Sequence, residues 1–352
     1  MGVRNESCKK NRNRHEHVIN KLPISIGSDG FDKQNSYVMK NYITENSLCC
    51  IYGPSGSYKS FLAISWACHI ATGIEWSGNR VNPGVVIYIV GEGGIGVSRR
   101  VKAWENIYNK KVSNLILVNR PVFPADPSER RDLLSGIKYI EGKCRLPVRL
   151  IIFDTLARCY GNLDENNSQD MGRLIVGCDA IKNGTSASVL LVHHSGKDET
   201  KGARGSSSLK AALDVEFNVK KDKENQSLIL SCTKMKDAEE PKCHAYKLHE
   251  SELFIDSDGE RISSLAVIDH ARKAINLYPE LSHVSNLTDN HKTVWEMIHK
   301  IFSDAGRCTK KMLRDELKQQ GIEVKHFHRW VKKFIDDGML LEHGEELLLV
   351  RQ

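Results

Sequence analysis

The sequence predicts an α/β fold, a mostly parallel sheet crossed by helices, followed by a small α+β unit at the C-terminal end. Three observations carry that expectation. Short apolar runs alternate with stretches of helical spacing, the pattern of strands joined by crossover helices. Those runs are continuously apolar, which implies burial on both faces, as in a parallel sheet. Beyond residue 290 the pattern changes to three short amphipathic helices and a hairpin.

The first 28 residues, opening MGVRNESCKKNRNRHEHVIN, cluster Lys and Arg with little apolar periodicity. They read as a flexible basic arm, because so little burial cannot offset the entropy of ordering. Glu6 stands where a myristoylation signal has Ser or Thr, and no apolar stretch suits a signal peptide or reaches the roughly 20 residues of a membrane span. Ten cysteines occur without a CxxC pair. The expectation is a cytoplasmic protein with reduced thiols and no membrane partner. The 51 basic and 44 acidic residues leave a net charge of +7, which would suit a polyanion but which many enzymes share.

Strands are expected at Leu48–Tyr52, Val85–Val90, Leu115–Val118, Leu150–Asp154 and Val189–His193. Val215–Lys220 and Ser227–Lys234, joined by a polar turn, read as an antiparallel hairpin at one sheet edge. This core is expected to span residues 29–260, with 261–290 as a polar linker. In 291–352, Val294, Met297, Ile298 and Ile301 have helical spacing, Thr309 opens a second helix to Gln319, Lys325–Asp337 makes a third, and Met339–Val350 turns around His343-Gly344. That is the outline of a winged helix. On the third helix Phe327, Trp330, Val331, Phe334 and Ile335 form an apolar stripe, with His326, Arg329, Lys332 and Lys333 largely off it; such a face suits DNA or a protein contact equally, since Asp336, Asp337, Glu342, Glu345 and Glu346 oppose DNA.

Chemistry enters at Gly53-Pro54-Ser55-Gly56-Ser57-Tyr58-Lys59-Ser60-Phe61, which follows a predicted strand and opens a helix. In that context the run is a P-loop, whose backbone N–H groups and helix N-terminus surround phosphate oxygens. Lys59 would reach the β and γ phosphates and the Ser60 hydroxyl would ligate magnesium. Tyr58 stands where the motif has glycine, so the loop must hold its turn with a side chain present. Leu150-Ile-Ile-Phe-Asp154 supplies the carboxylate that such a site needs at the carboxyl edge of the sheet to hold the metal's water shell. ATP and Mg2+ are the cofactors implied.

Hydrolysis requires a group to orient or deprotonate water. Glu92, in Val90-Gly91-Glu92-Gly93, ends a strand expected beside the P-loop strand and is the candidate, a solvated turn carboxylate being the alternative. The strand Val189–Val192 runs into His193-His194, one of which would face the nucleotide and the other the interior.

In order and spacing, GPSGSYKSF, the Gly-Glu-Gly after the second strand, IIFDTLAR and VLLVHHSGKDETKGARGSSSL resemble the RepA-type hexameric replicative helicases and AAA-type ATPase relatives within the RecA/DnaB P-loop superfamily, over roughly residues 30–250. The resemblance implies a RecA-like core in which Lys59, Ser60 and Asp154 bind Mg-ATP, Glu92 is the catalytic carboxylate and His194 senses the γ-phosphate. It also implies a basic pair acting on the neighbouring subunit's nucleotide, here Lys234 and Lys236. Lysine replaces the arginine of the family pattern at 236 and lacks its planar fork; a solvated basic turn is the alternative there. Lys197, Lys201 and Arg204 match the loop that tracks single-stranded DNA through a ring channel.

These features together point to an ATP-hydrolysing motor on single-stranded DNA, a hexameric DNA helicase of a plasmid, phage or mobile element, with a replication initiator or primase as further partner. Two other readings stand beside it: a RecA-like ATPase that binds DNA or replication proteins without unwinding, and a DNA-binding regulator whose winged helix is switched by an ATPase core.

Overall fold

A computed structural model describes residues 26–28, 30–32, 36–91, 94–196, 207–222, 226–236, 238–270, 272–273 and 289–350. Residues 1–36 and 37–352 form two separate units. In the first, the Phe31 N–H donates to Ser28 O at 3.0 Å; most of the expected basic arm lies outside the described residues.

The second unit begins with the short strands β1 (Tyr37–Met39) and β2 (Ile43–Thr44), paired antiparallel. There follow β3 (Leu48–Gly53), α1 (Lys59–Thr72), β4 (Val85–Val90), α2 (Gly96–Tyr108), β5 (Leu115–Val118), α3 (Pro127–Cys144), β6 (Val148–Asp154), α4 (Ser168–Thr185), β7 (Ser188–His194), α5 (Ser207–Ala212), β8 (Val215–Asp222), β9 (Ser227–Met235), β10 (His244–Ile255), β11 (Arg261–Val267) and β12 (Arg272–Lys273). The sheet order is β11-β10-β9-β8-β3-β7-β6-β4-β5, with β12 beside β10. From β8 to β5 every pairing is parallel, and from β8 outward through β11 every pairing is antiparallel.

Helices cover both faces of the parallel part, which is why its strands read as continuous apolar runs. Along β3 and β6 successive side chains enter two cores. Cys49, Ile51, Leu150 and Ile152 pack with Trp66 of α1 and Trp104 of α2, whereas Cys50, Ile151 and Phe153 pack with Ile137 of α3 and Leu174 of α4.

Three expectations are corrected here. The hairpin β8–β9 is interior to the sheet, because β10 and β11 extend it. The sheet also runs past residue 260 into the expected linker: Ala266 and Val267 of β11 are buried, and Val267 O accepts from Ser65 Oγ on α1 at 3.4 Å. β10 carries exposed Lys247, His249, Glu250 and Glu252, a composition that in sequence suits a loop as well as a strand. Finally, β4 lies between β6 and β5, with β6 and β7 separating it from β3, so the strand preceding Glu92 is not beside the P-loop strand. Residues 271 and 274–288 lie outside the described residues.

The chain closes with α6 (Asp289–Ala305), β13 (Cys308–Thr309), α7 (Lys310–Gln319), α8 (Phe327–Asp336), β14 (Leu340–His343) and β15 (Glu346–Leu349). The three helices and hairpin expected are present, and β13 joins the hairpin in a sheet of order β13-β15-β14. Thr309 caps α7 as anticipated, its Oγ1 accepting from the Met312 N–H at 3.2 Å. Val294, Trp295, Ile298, Leu313, Phe327, Trp330, Phe334, Leu340 and Leu347 form a third core. Among the described residues no helix is long and apolar enough to cross a membrane.

Candidate nucleotide site

The P-loop leaves the end of β3, the middle strand of the sheet order, and turns directly into α1. Its first residue must be small: a Cβ on Gly53 would lie 2.1 Å from Val219 O of β8. Gly56 takes φ +76°, a conformation natural to glycine. Tyr58 takes φ +68° and ψ +18° immediately before α1, so the tyrosine that replaces the motif's glycine adopts a glycine-like backbone. The left-handed region costs a non-glycine residue about 1–2 kcal/mol. Two contacts offset that cost. The Tyr58 ring meets Phe61 edge-on at 5.7 Å, and Lys221 Nζ lies 5.1 Å from its centroid.

A ranking follows for urea unfolding. Tyr58→Ala keeps the strain and loses both contacts, whereas Tyr58→Gly loses the contacts and releases the strain, against about 0.4–1 kcal/mol of added unfolded-state entropy. Tyr58→Gly is therefore expected to be the more stable of the two by up to about 1.5 kcal/mol; an alanine variant as stable as the glycine variant removes strain from the account of this loop.

Lys59 is the first residue of α1 and is 5% exposed. Burial follows because its ammonium curls back along the P-loop, donating to Pro54 O at 2.6 Å and to Gly53 O at 2.9 Å. One residue on, Ser60 Oγ donates to Asp154 Oδ1 at 3.0 Å. The expected magnesium pair therefore meets across 94 residues of sequence, because β6 lies two strands from β3 and ends at the same edge. The other carboxylate oxygen accepts from Tyr88 Oη of β4 at 2.5 Å. Burial, then the neighbouring Asp154 carboxylate, push the Tyr88 phenol well above its ordinary range, so it stays a donor that orients the carboxylate.

An open cavity of about 300 Å³ lies over the loop, lined by residues 55–61 together with Arg100, Thr155 and His194. The two histidines divide as strand alternation demands. His194, in register with Gly53, lines the cavity, while His193 is fully buried with its ring 6.4 Å from Tyr160.

Tyr88 and Arg100 were missed in reading the sequence. Tyr88 had a legible signal, a hydroxyl in the middle of the apolar run VVIYIV. Arg100 had none: it sits on α2, in register with no motif, and its guanidinium lies over the Phe61 ring at 4.2 Å, presenting positive charge to the cavity.

Glu92 and the basic loop residues Lys197, Lys201 and Arg204 lie outside the described residues. The backbone leading to Glu92 is described: Val90 is in register with Asp154, and the Gly91 N–H donates to Asp154 O at 2.7 Å.

Lys234 and Lys236 lie elsewhere. β9 runs antiparallel to β8, and Met235 pairs with Val215, which in turn pairs with Cys49 near the start of β3. The lysines therefore sit at the sheet edge opposite the P-loop, separated from it by the length of β3, about 17 Å at 3.3 Å per residue. Lys234 Nζ donates to the carbonyls of Lys210 and Ala211 at the end of α5, at 2.8 and 3.0 Å. Lys236 is exposed, with Nζ 3.6 Å from Asp214 Oδ1.

The donor set fits a nucleoside triphosphate with magnesium: backbone N–H groups and an ammonium for phosphates, one hydroxyl and one carboxylate for a cation that keeps much of its own water. A mostly parallel sheet carrying a P-loop at its carboxyl edge defines a P-loop nucleoside-triphosphate-binding fold. The chain belongs to the AAA domain family, which matches residues 21–200. The crystal structure of the RadB recombinase is similar, with 16% sequence identity and a TM-score of 0.41 over 58% of this chain and 88% of that one. None of the curated proteins compared with the chain matches it. Family and site together imply ATPase activity.

Proposed function

We propose that the chain is an ATP-hydrolysing motor that works as a ring, in the manner of the RepA-type hexameric helicases, on single-stranded DNA in the cytoplasm. The observation that carries this reading is the placement of the P-loop and the Lys234/Lys236 pair at opposite edges of one sheet. A lysine pair that cannot reach its own P-loop can meet that of a neighbouring copy, which makes a closed or helical assembly the unit of activity.

In this reading the Gly53–Phe61 loop and Lys59 hold the triphosphate, and Ser60 with Asp154 holds magnesium, which when bound neutralises charge on the phosphate oxygens. Glu92 takes the proton of the attacking water, and His194 registers the state of the terminal phosphate. Lys234 ties the subunit interface to α5, the helix that follows the segment carrying Lys197, Lys201 and Arg204. Through it, nucleotide state at the interface is relayed to the DNA-tracking loop. A replication initiator or primase remains the further partner of this reading.

Glu92→Gln tests the chemistry. It should keep ATP binding and assembly and lower turnover by about 10² or more, the usual scale of a general base. Turnover at the wild-type rate assigns the base to another group. Strand displacement on a forked duplex tests the motor itself: hydrolysis stimulated by single-stranded DNA without displacement would favour the non-unwinding ATPase.

A further inference from the structure

The C-terminal unit carries two cationic stripes that the nucleotide site does not use. On α7, Lys311, Arg314 and Lys318 recur at helical spacing, away from buried Leu313 and Leu317. Along α8 and the turn before it, exposed Lys325, Arg329 and Lys332 do the same, opposite buried Phe327, Trp330, Val331 and Phe334. The stripes meet where Arg314 lies 2.9 Å from His328 Nε2 and stacks over Phe327 at 4.6 Å.

Of the acidic residues that oppose DNA, Asp337 and Glu342 are engaged by cations outside the stripes, whereas Asp336, Glu345 and Glu346 are exposed. Glu342 pairs with Lys310, Asp337 with Lys333 at 2.8 Å, and Glu316 with Lys300 at 2.7 Å. Asp315 and Asp336 border the stripes. Lys311, Lys318, Lys325, Arg329 and Lys332 make no ion pair among the described residues, so their charge is available to an external anion.

We infer that α7 and α8 form a binding face for duplex DNA, distinct from the single-strand loop of the motor, with α8 in the major groove and the α7 lysines on the flanking phosphates. The α7 stripe runs over eight residues, Lys311 to Lys318, seven helical rises or about 10.5 Å. A major groove about 12 Å wide admits such a helix while phosphates on its rim meet the second stripe. The inference rests on the proposed function only in taking DNA as the nucleic acid.

The test uses the full chain without nucleotide, following fluorescence anisotropy of a labelled 24-base-pair duplex and of one of its strands. Wild-type protein should prefer the duplex. R329E/K332E should bind it at least tenfold more weakly near 50 mM salt, with a log–log salt slope shallower by about 2. R329Q/K332Q, which adds no negative charge, should show the same direction with a smaller loss. K242E/K247E, an equal charge change at exposed positions on and just before β10, should keep the duplex preference. Lys59→Ala should keep it too, so that failure of the nucleotide assignment and failure of this face read out separately. No duplex preference in the wild type, a preference that survives R329E/K332E, or an equal loss in K242E/K247E would overturn the inference.

Discussion

Lys59→Ala should weaken ATP binding by roughly 10² to 10⁴. An ammonium hydrogen-bonded to phosphate contributes about 1.5–3 kcal/mol per contact, and a lysine between two phosphates makes about two. The structure adds a second effect. Because the Lys59 ammonium is buried and donates to Gly53 O and Pro54 O, alanine leaves two loop carbonyls without that donor. A stability loss of about 1–3 kcal/mol should accompany the loss of affinity. Calorimetric titration separates the two: the variant should show a lower unliganded melting temperature and no further rise with Mg-ATP. Wild-type affinity in a folded Lys59→Ala protein would end the P-loop assignment.

Lys236→Ala should lower ATP turnover steeply, and mixing it with Lys59→Ala subunits should restore part of it. An arginine supplied across an interface contributes about 10³ to 10⁵ in rate; lysine, a point charge without the planar fork, should contribute less. Neither variant alone has an interface with both an intact P-loop and an intact Lys236, whereas mixed assemblies do. Lys236 Nζ lies 3.6 Å from Asp214 Oδ1 with the side chain largely exposed, so its removal opens no cavity and should leave the melting temperature within about 0.5 kcal/mol equivalent of wild type. Lys236→Arg should raise turnover if the longer fork reaches the phosphate. Demonstrated co-assembly without recovery would show that Lys236 does not act in trans.

The parallel strands were legible because each is buried on both faces and its chemistry is local. Val85–Val90 and Leu115–Val118 occupy the residues expected of them, and the P-loop lies between strand and helix as its motif requires. The C-terminal helices were legible for a related reason: Phe327, Trp330, Val331 and Phe334 repeat at the helical period and form one buried stripe. Strands with mixed polarity were not. β10 and β11 are held by pairing with neighbours rather than by an apolar run, and their alternation is short, buried Tyr246 and Leu248 against exposed Lys247 and His249.

The identities of the reacting groups were local information, since a strand ending in Asp154 or a loop ending in Lys59-Ser60 declares its chemistry within a few residues. Their relations were not. That Tyr88 and Ser60 grip the two oxygens of Asp154, that Arg100 faces the P-loop cavity over Phe61, and that Lys236 stands at the far edge of the sheet all depend on strand order and direction. Strand order is settled by which crossovers pack against which face, a balance of burial summed over the whole sheet, and no short window of sequence contains that sum.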